Sequence, residues 1–361
     1  MHVYHASVSA DNPTNHSRER VLIVALNWLG DSIMSMPAIQ AYRRAFPAKR
    51  LTILIKPAMV DLWSMHPAID DIWVCLESIP QIWKTASQIN QRHFSTAYIL
   101  PQSFRSALIP FLGKVPQRIG LRGHFRSCLL TNIVSLPQNA ASLHQQFEYM
   151  PILGQKTTRD ELPVLNINTA LLAKTDKILG HNRKQAWIGL IPGAARGPAK
   201  RWPENYFTAV GKILIKNFKC NIVLFGSTAD KELCTRIKMG IGNDVFPAST
   251  NPSPVENHAE DVINLAGRTS LPELAALMSR CSAVIGNDSG GVHLAAAVGT
   301  AVIVIFGITN PAKRKPLGQK VVVLQDSPLA DRNVPRQSVT AEKSLKNISP
   351  EMAVEAIQSF L

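Results

Sequence analysis

The chain has 361 residues, of which 46% are hydrophobic and 18% charged, so it is long enough for two cores and too apolar to be disordered. Its formal net charge of +14 indicates anionic partners, and it contains no apolar run of the roughly 20 residues that a membrane-spanning helix needs. Five scattered cysteines without a Cys-x-x-Cys pair argue against a disulfide framework and against a zinc site.

The first 18 residues are polar and lack the apolar segment of a signal peptide, so we expect a disordered tail and a cytoplasmic protein. After this tail, short apolar runs alternate with helical patterns. Strands are predicted at 21–26, 51–55, 72–75 and 96–100, and helices at 32–46 and 79–91. This alternation is typical of the βαβ units of an open parallel sheet.

The alternation restarts after a segment of lower order at about 155–183. Strands are predicted at 186–191, 221–225, 262–265, 283–285, 301–306 and 320–324, and helices at 204–217, 229–239, 271–280, 291–298 and 350–360. The predicted fold class is therefore α/β, with two doubly wound, Rossmann-like domains facing a cleft. We expect a tail at 1–18, an N-terminal domain at 19–180, a C-terminal domain at 181–347, and a helix at 348–361 that could pack back on the N-terminal domain.

Ligands of such sheets bind beyond the carboxyl ends of the strands, so the loops that follow strands are the candidate sites. The loop Asn27-Trp-Leu-Gly-Asp-Ser32 follows the first strand. Gly30 allows a tight turn there, and Asp31 lies at the mouth of the expected cleft. The carboxylate of Asp31 could act as a general base or only cap the helix, because Asp is a favoured N-cap residue.

In the second half, the loop Pro192-Gly-Ala-Ala-Arg-Gly-Pro-Ala-Lys-Arg-Trp-Pro203 combines Gly193 with the cations Lys200 and Arg201. Exposed backbone N–H groups and positive charge suit a diphosphate, and a solvated basic loop is the alternative. A further loop carries Asp230 and Glu232 at a helix start. These acids could face a ligand or only favour the helix macrodipole.

The loop Gly286-Asn-Asp-Ser-Gly-Gly-Val-His293 also passes from a strand to a helix. The N–H groups of Ser289 and Gly290 would carry partial positive charge toward a phosphate, and Asp288 could orient a sugar hydroxyl. His293 lies in the first turn and a half of that helix, where a structural and a functional role remain equally open.

Five cations without an intervening acid occur between residues 102 and 140 of the first half: Arg105, Lys114, Arg118, Arg122 and Arg126. The segment is punctuated by glycine and is predicted to be a loop. Arginine side chains suit phosphates and carboxylates, so the pattern favours an anionic acceptor over a solvated charged face.

Three blocks carry a resemblance to a known family: Ala97-Tyr-Ile-Leu-Pro-Gln-Ser-Phe-Arg-Ser-Ala-Leu108, the whole 192–203 loop, and Asn287-Asp-Ser-Gly-Gly-Val-His-Leu-Ala-Ala-Ala297. Together with the Leu-Gly-Asp loop, they resemble the ADP-heptose:lipopolysaccharide heptosyltransferases over about residues 20–325. These are inverting glycosyltransferases of the GT-B fold, and the likeness is strongest to their heptosyltransferase II branch.

The resemblance implies transfer of heptose from ADP-heptose to the heptose/Kdo inner core of lipopolysaccharide. It implies that Asp31 is the catalytic base and that Lys200 contacts the diphosphate. The remaining implied donor contacts are Asp230, Asp288, Ser289, Gly290 and His293, and the composition of the basic loop adds Gly193 and Arg201 to the predicted donor site. The implied acceptor contacts are Arg105, Arg118, Arg122 and Arg126.

No two aspartates are separated by a single residue, so the chain lacks an Asp-x-Asp metal motif, and we expect neither a metal nor a cofactor besides the ADP-sugar substrate. We expect peripheral association with the inner membrane surface, because the implied acceptor is a lipid. The same loops would suit another nucleotide-sugar donor or a non-catalytic sugar-nucleotide-binding protein. Nucleic acid is not expected as a partner, since neither a helix-turn-helix nor an aromatic-basic pattern is present.

Overall fold

Each half of the chain forms its own six-stranded parallel sheet in the computed structural model. The structure describes residues 18–76, 78–123, 125–136, 143–155, 161–180, 185–195, 200–242, 261–326 and 339–361. The predicted N-terminal tail, apart from Arg18, lies outside the described residues, as do residues 196–199 of the basic loop. The chain divides into two compact units, Met1–Asn166 and Ile167–Leu361.

The first unit contains a sheet with the strand order 3-2-1-4-5-6. Its strands are β1 (Arg20–Val24), β2 (Arg50–Ile55), β3 (Asp71–Val74), β4 (Thr96–Ile99), β5 (Gln117–Leu121) and β6 (Asn132–Val134). Its helices are α1 (Leu29–Ala45), α2 (Val60–Ser64), α3 (Ile79–Gln91), α4 (Phe104–Leu112) and α5 (Gln146–Ile152). The central strands are buried along their length, as expected where helices cover both faces of a parallel sheet.

The second unit repeats this arrangement with the strand order 12-11-10-7-8-9. Its strands are β7 (Trp187–Ile191), β8 (Asn221–Leu224), β9 (Val262–Asn264), β10 (Ala283–Asn287), β11 (Ala301–Ile305) and β12 (Val321–Leu324). Its helices are α6 (Thr169–Ile178), α7 (Glu204–Phe218), α8 (Lys231–Gly242), α9 (Leu271–Met278), α10 (Gly290–Ala297), α11 (Pro311–Arg314), α12 (Val339–Lys346) and α13 (Pro350–Gln358). The predicted class of two doubly wound α/β domains is confirmed.

The stretch from 102 to 140, which we expected to be a loop, contains α4, β5 and β6. Only five of its 39 residues are the cations, and its apolar side chains decide its structure. Ala107 and Ile109 of α4 and Leu121 of β5 are buried in the first unit. The strands β5 and β6 are five and three residues long, so each offers too few positions for a recognisable period.

Helix α6 lies in the segment that we expected to be of lower order. Its N-cap, Asn168, accepts a hydrogen bond from the backbone N–H of Ala170. The helix packs against α9, and ion pairs join Lys174 to Glu273 at 2.5 Å and Arg280 to Asp176 at 2.9 Å. Because these partners all belong to the second unit, the division falls between residues 166 and 167 and not at 180.

The C-terminal helix packs within the second unit, which differs from the suggested packing on the N-terminal domain. Ala353, Val354 and Ile357 of α13 are buried in the core that α7 also lines. The indole Nε1 of Trp202 donates to the carbonyl oxygen of Ile348, just before this helix, at 2.9 Å. The helix therefore completes the core of the second unit. Among the described residues, no helix is both long and apolar enough to cross a membrane.

Candidate functional site

The two sheets each have one point at which the order of the strands reverses, and ligands of doubly wound sheets bind in the crevice at that point. In the first unit the reversal lies between β1 and β4, and in the second between β7 and β10. The loops that leave these four strands are those of Asp31, Arg105, Lys200 and Asp288. The topology therefore places the main candidate loops in pairs, one pair in each unit.

In the second unit, the two candidate loops are joined by an ion pair. The ammonium group of Lys200 contacts the carboxylate of Asp288, and these side chains are 21% and 9% exposed. The backbone N–H of Asp288 donates to the carbonyl oxygen of Ile305 at 3.1 Å, which fixes the loop against β11. The pair combines a cation for a phosphate with a carboxylate that can accept sugar hydroxyl hydrogen bonds, in one partly buried place.

The buried side-chain amide of Asn287, which was not predicted as a site residue, holds these two loops together. The side chain of Asn287 donates through Nδ2 to the carbonyl oxygen of Pro192 at 2.8 Å and accepts through Oδ1 from the backbone N–H of Trp202 at 2.9 Å. It thus fixes both ends of the Lys200 loop to the end of β10. Its only sequence signal is a polar amide at the end of an apolar strand.

Gly193 lies so close to the carboxylate of Asp230 that a larger residue there would require the Asp230 side chain to move. A Cβ atom on Gly193 would lie 2.4 Å from Cγ of Asp230. The Asp230 carboxylate also accepts hydrogen bonds from the N–H of Ser227 at 2.9 Å and from its hydroxyl at 2.6 Å, while Arg201 approaches it at 3.9 Å. Of the two acids left open by the sequence, Asp230 adjoins the Lys200 loop, whereas Glu232 is an exposed residue in the first turn of α8.

The N-terminus of α10 adjoins the same loops. Ser289 is its N-cap residue, its side chain makes no capping hydrogen bond, and its buried hydroxyl has no hydrogen-bond partner among the described residues. The N–H groups at this helix start carry the partial positive charge that favours an anion. His293 is only 4% exposed, which favours the structural alternative for this residue. In the described ranges, no three His, Cys, Asp or Glu residues are grouped to hold a metal ion.

In the first unit, Asp31 is the third residue of α1 and is half-buried. The helix begins at Leu29, earlier than predicted, so Trp28 and not Asp31 is the N-cap residue. The hydroxyl of Ser32 donates to the carbonyl oxygen of Leu26 at 2.9 Å and ties the first turn to the preceding loop. Asp31 is thus a first-turn residue of α1 and not its N-cap, and its role as a general base stays a prediction.

A pocket opens at the carboxyl ends of β1, β2 and β4 in the first unit. Its polar lining comprises Asn27, Lys56, Ser103, Arg105 and Ser106, among apolar side chains that include Ile55 and Ile109. Lys56 and Ser103 were not predicted as site residues, although each lies just beyond a strand end, where the same rule would have placed them. The pocket combines two cations with short polar groups, which suits an acidic, hydroxyl-rich ligand.

Arg126 was expected to contact the acceptor, but it is fully buried. Its guanidinium donates to the carbonyl oxygen of Leu121 at 2.6 and 3.0 Å and to the hydroxyl of Ser106 at 3.3 Å, and it also contacts the carbonyl oxygen of Pro101. Burial lowers the pKa of this guanidinium from its usual value. Because carbonyl groups occupy its donors, Arg126 is a structural residue.

Arg118 is likewise used within the fold. It lies near the amino end of β5, away from the carboxyl edge that holds the pocket. Its guanidinium donates to the carbonyl oxygens of Leu129 at 2.7 Å and Val115 at 2.5 Å and lies 5.3 Å from the ring centroid of Phe111. Of the four predicted acceptor contacts, Arg105 and Arg122 are exposed residues near the carboxyl edge of the sheet. The guanidinium groups of Arg118 and Arg126 bind backbone carbonyl oxygens of the first unit instead.

We predict that Arg126→Ala destabilises the first unit. The substitution leaves the carbonyl oxygens of Leu121 and Pro101 buried without their donor, at a cost of about 3 kcal/mol in total. Differential scanning calorimetry should show the transition of the first unit lowered by about 6–12 °C. Arg122→Ala, on the same loop but exposed, should leave the transition unchanged. Equal transitions in both variants would contradict the structural role of Arg126.

We also predict that Asn287→Ala raises the KM for the donor by about tenfold, because the loop of Lys200 loses both of its anchors. The KM for the acceptor should not change. Asn221→Ala is a matched control, since Asn221 is also buried but lies at the amino end of β8. A donor KM that rises equally in both variants would show that Asn287 acts only through general stability.

The comparisons with known proteins agree with this arrangement. A model of glycosyltransferase family 9 (heptosyltransferase) matches residues 82–343. Lipooligosaccharide heptosyltransferase 2 of Haemophilus ducreyi is 27% identical, with 95% of this chain and 99% of that protein covered. Lipopolysaccharide heptosyltransferase 2 of Escherichia coli strain K12 is 27% identical, with coverage of 95% and 98%.

A solved structure, that of E. coli ADP-heptose lps heptosyltransferase II, superposes with a TM-score of 0.79 at 26% identity, covering 94% of this chain and 98% of that chain. The family match spans more than two thirds of the chain and includes the loops of Arg105, Lys200 and Asp288. It confirms the resemblance that the sequence blocks carry. The chain belongs to glycosyltransferase family 9, the heptosyltransferases.

Proposed function

We propose that this protein transfers L-glycero-D-manno-heptose from ADP-heptose to the heptose/Kdo inner core of lipopolysaccharide, as an inverting enzyme of the heptosyltransferase II type. The observation that carries the proposal is the pairing of Lys200 with Asp288 beside the N-terminus of α10, in a chain of family 9. The relatives named above support the choice of donor and acceptor.

In the proposed reaction, an acceptor hydroxyl oxygen forms a bond to the anomeric carbon of the heptose. The bond from that carbon to the diphosphate oxygen breaks on the opposite face, and ADP leaves with the electron pair. Asp31 accepts the proton of the attacking hydroxyl, which keeps the nucleophile from carrying a positive charge. The acceptor is held in the first unit by the pocket that includes Lys56 and Arg105.

The negative charge that grows on the leaving ADP has to be stabilised. Lys200 supplies a positive charge, and the N–H groups at the start of α10 supply dipoles. The unpartnered hydroxyl of Ser289 is a further donor in the same place. We propose that these groups stabilise the leaving ADP in place of a metal ion. Turnover should therefore persist in excess chelator.

The direct test is mass spectrometry of truncated lipopolysaccharide after incubation with the protein and ADP-heptose, with and without chelator. The expected product is heavier by one heptose unit. A parallel panel of ADP-glucose, UDP-glucose and GDP-mannose distinguishes a family member with another donor. Binding of ADP-heptose without any product would overturn catalysis and leave a sugar-nucleotide-binding protein.

We further propose that the enzyme is cytoplasmic and associates peripherally with the inner face of the cytoplasmic membrane. The support is chemical: the proposed acceptor is anchored in a bilayer by its lipid, and the chain carries a net charge of +14. Cell fractionation at low and high salt tests this location. Release of the protein from the membrane fraction by salt is the expected result.

A further inference from the structure

Among the described residues of the first unit, six large apolar side chains that follow the carboxyl ends of strands are exposed, and four of them lie on α3, on α4 and just after β5: Ile79, Trp83, Phe104 and Phe125. Their exposed fractions are 72% for Ile79, 59% for Trp83, 43% for Phe104 and 99% for Phe125. We call these four residues the apolar rim. Ile79 and Trp83 lie in the first two turns of α3, Phe104 begins α4, and Phe125 follows β5. All three places follow the carboxyl ends of strands, at the edge that also holds the Lys56–Arg105 pocket.

Helices α3 and α4 form one layer over one face of the sheet. Ile82 and Ile89 of α3 and Ile109 of α4 point into the same core. The two helices pack so closely that a Cβ atom on Gly113 would lie 2.6 Å from Ile89. The outward sides of the helices are therefore neighbours, and the rim residues that they carry belong to one surface.

The surroundings of the rim are cationic. No Asp or Glu occurs between Glu77 and Glu148, whereas seven Lys and Arg residues do. Two of the seven, Arg118 and Arg126, donate hydrogen bonds to backbone carbonyl oxygens of the same unit. The exposed cations include the sequence neighbours of rim residues: Lys84 beside Trp83, Arg105 beside Phe104, and Arg122 close to Phe125.

Isolated exposed apolar residues are normal on protein surfaces and need no explanation. Aromatic side chains grouped with cations are typical of surfaces that lie in the headgroup region of an anionic bilayer. Aromatic rings enter the boundary between headgroups and acyl chains, and the cations stay with the phosphates. A partner protein would have to supply a strongly acidic face for the same surface.

We propose that the apolar rim, with Lys84 and Arg122, is the surface by which this protein binds an anionic phospholipid bilayer. The rim lies at the edge of the sheet that carries the pocket, so binding presents that pocket to an acceptor held in the same bilayer. This orientation rests on the proposed function, whereas the affinity for the bilayer does not.

The test uses the full-length protein and sedimentation with vesicles of phosphatidylethanolamine and phosphatidylglycerol, with phosphatidylcholine vesicles as the neutral comparison. We expect wild type to bind the anionic vesicles and Trp83→Ser/Phe125→Ser to bind them roughly tenfold more weakly. Lys84→Glu should weaken binding to anionic vesicles and leave the weak binding to neutral vesicles unchanged. Met239→Ser is the matched control, because Met239 is 61% exposed but lies on α8 of the second unit.

Transfer to a deacylated, soluble acceptor is measured in the same preparations and should not change in any of these variants. Unaltered vesicle binding in Trp83→Ser/Phe125→Ser would overturn the proposal, and so would an equal loss in Met239→Ser. Self-association of wild type that the double substitution removes would assign the rim to a second copy instead. Vesicle binding by wild type without transfer to any acceptor would overturn the proposed function and leave the rim as a membrane surface.

Discussion

Replacing Asp31 by Asn is expected to abolish measurable transfer while ADP-heptose, the proposed donor, still binds with nearly unchanged affinity. Asn has the shape of Asp, so the first turn of α1 should keep its structure, which Ser32 fixes to Leu26. An amide cannot accept the proton of the attacking hydroxyl. The loss of a general base costs about 10²–10⁴-fold in rate.

The measurement pairs kcat on truncated lipopolysaccharide with calorimetric titration of ADP-heptose. Asp61→Asn is a matched control, because Asp61 is also an acid in the first turn of a helix of this unit and is exposed. Removing the negative charge of Asp61 should change only its weak interaction with the helix macrodipole. Turnover in Asp31→Asn close to that of Asp61→Asn would remove Asp31 from the reaction.

Replacing Lys200 by Ala is expected to lower kcat by about 10²–10³-fold, because in the proposed reaction the leaving diphosphate loses a stabilising cation. Donor binding should weaken as well. A second cause has to be separated from this one, since the substitution also leaves the carboxylate of Asp288, 9% exposed, without its ion-pair partner. Lys231→Ala, an exposed lysine on the neighbouring helix α8, controls for the loss of general positive charge.

The double variant Lys200→Ala/Asp288→Asn distinguishes the two causes. If Lys200 served only to neutralise Asp288, removing both charges would restore much of the rate. We expect no recovery, because the diphosphate still lacks its cation, and we expect the double variant to be at least as slow as Lys200→Ala. Recovery of most of the wild-type rate would show that the lysine has a purely structural role.

The architecture of this protein could be predicted from local sequence. The apolar runs predicted at 21–26 and 301–306 contain most of the interior strands β1 (Arg20–Val24) and β11 (Ala301–Ile305), because each run is apolar enough to be buried on both faces of the sheet. The rule that ligands bind beyond strand ends then led to the loops of Asp31, Lys200 and Asp288. Short elements such as β5 and α4 were missed, since five and nine residues offer too few positions for a period to be recognised.

The roles of individual cations could not be predicted in the same way. The four predicted acceptor contacts are all arginines of one sequence segment, and nothing in the sequence distinguishes their roles: Arg105, Arg118, Arg122 and Arg126. The structure separates them by what surrounds each guanidinium. Arg126 is enclosed by carbonyl groups from Leu121 and Pro101, whereas Arg105 lines an open pocket.

The basic loop after β7 likewise has some features that its sequence predicts and others that depend on the tertiary structure. Its glycines and cations indicated an anion site, because backbone N–H groups and positive charge attract phosphates whatever the rest of the fold is. Only the tertiary structure brought Lys200 to Asp288, which is 88 residues away, and placed Asn287 to hold both ends of that loop. Strand patterns and loop chemistry are properties of neighbouring residues, so the sequence determined the two α/β halves and indicated the candidate ligand loops. Contacts between distant segments decide which side chains face the candidate site and which bind backbone carbonyl groups instead. These contacts exist only once the sheets have formed.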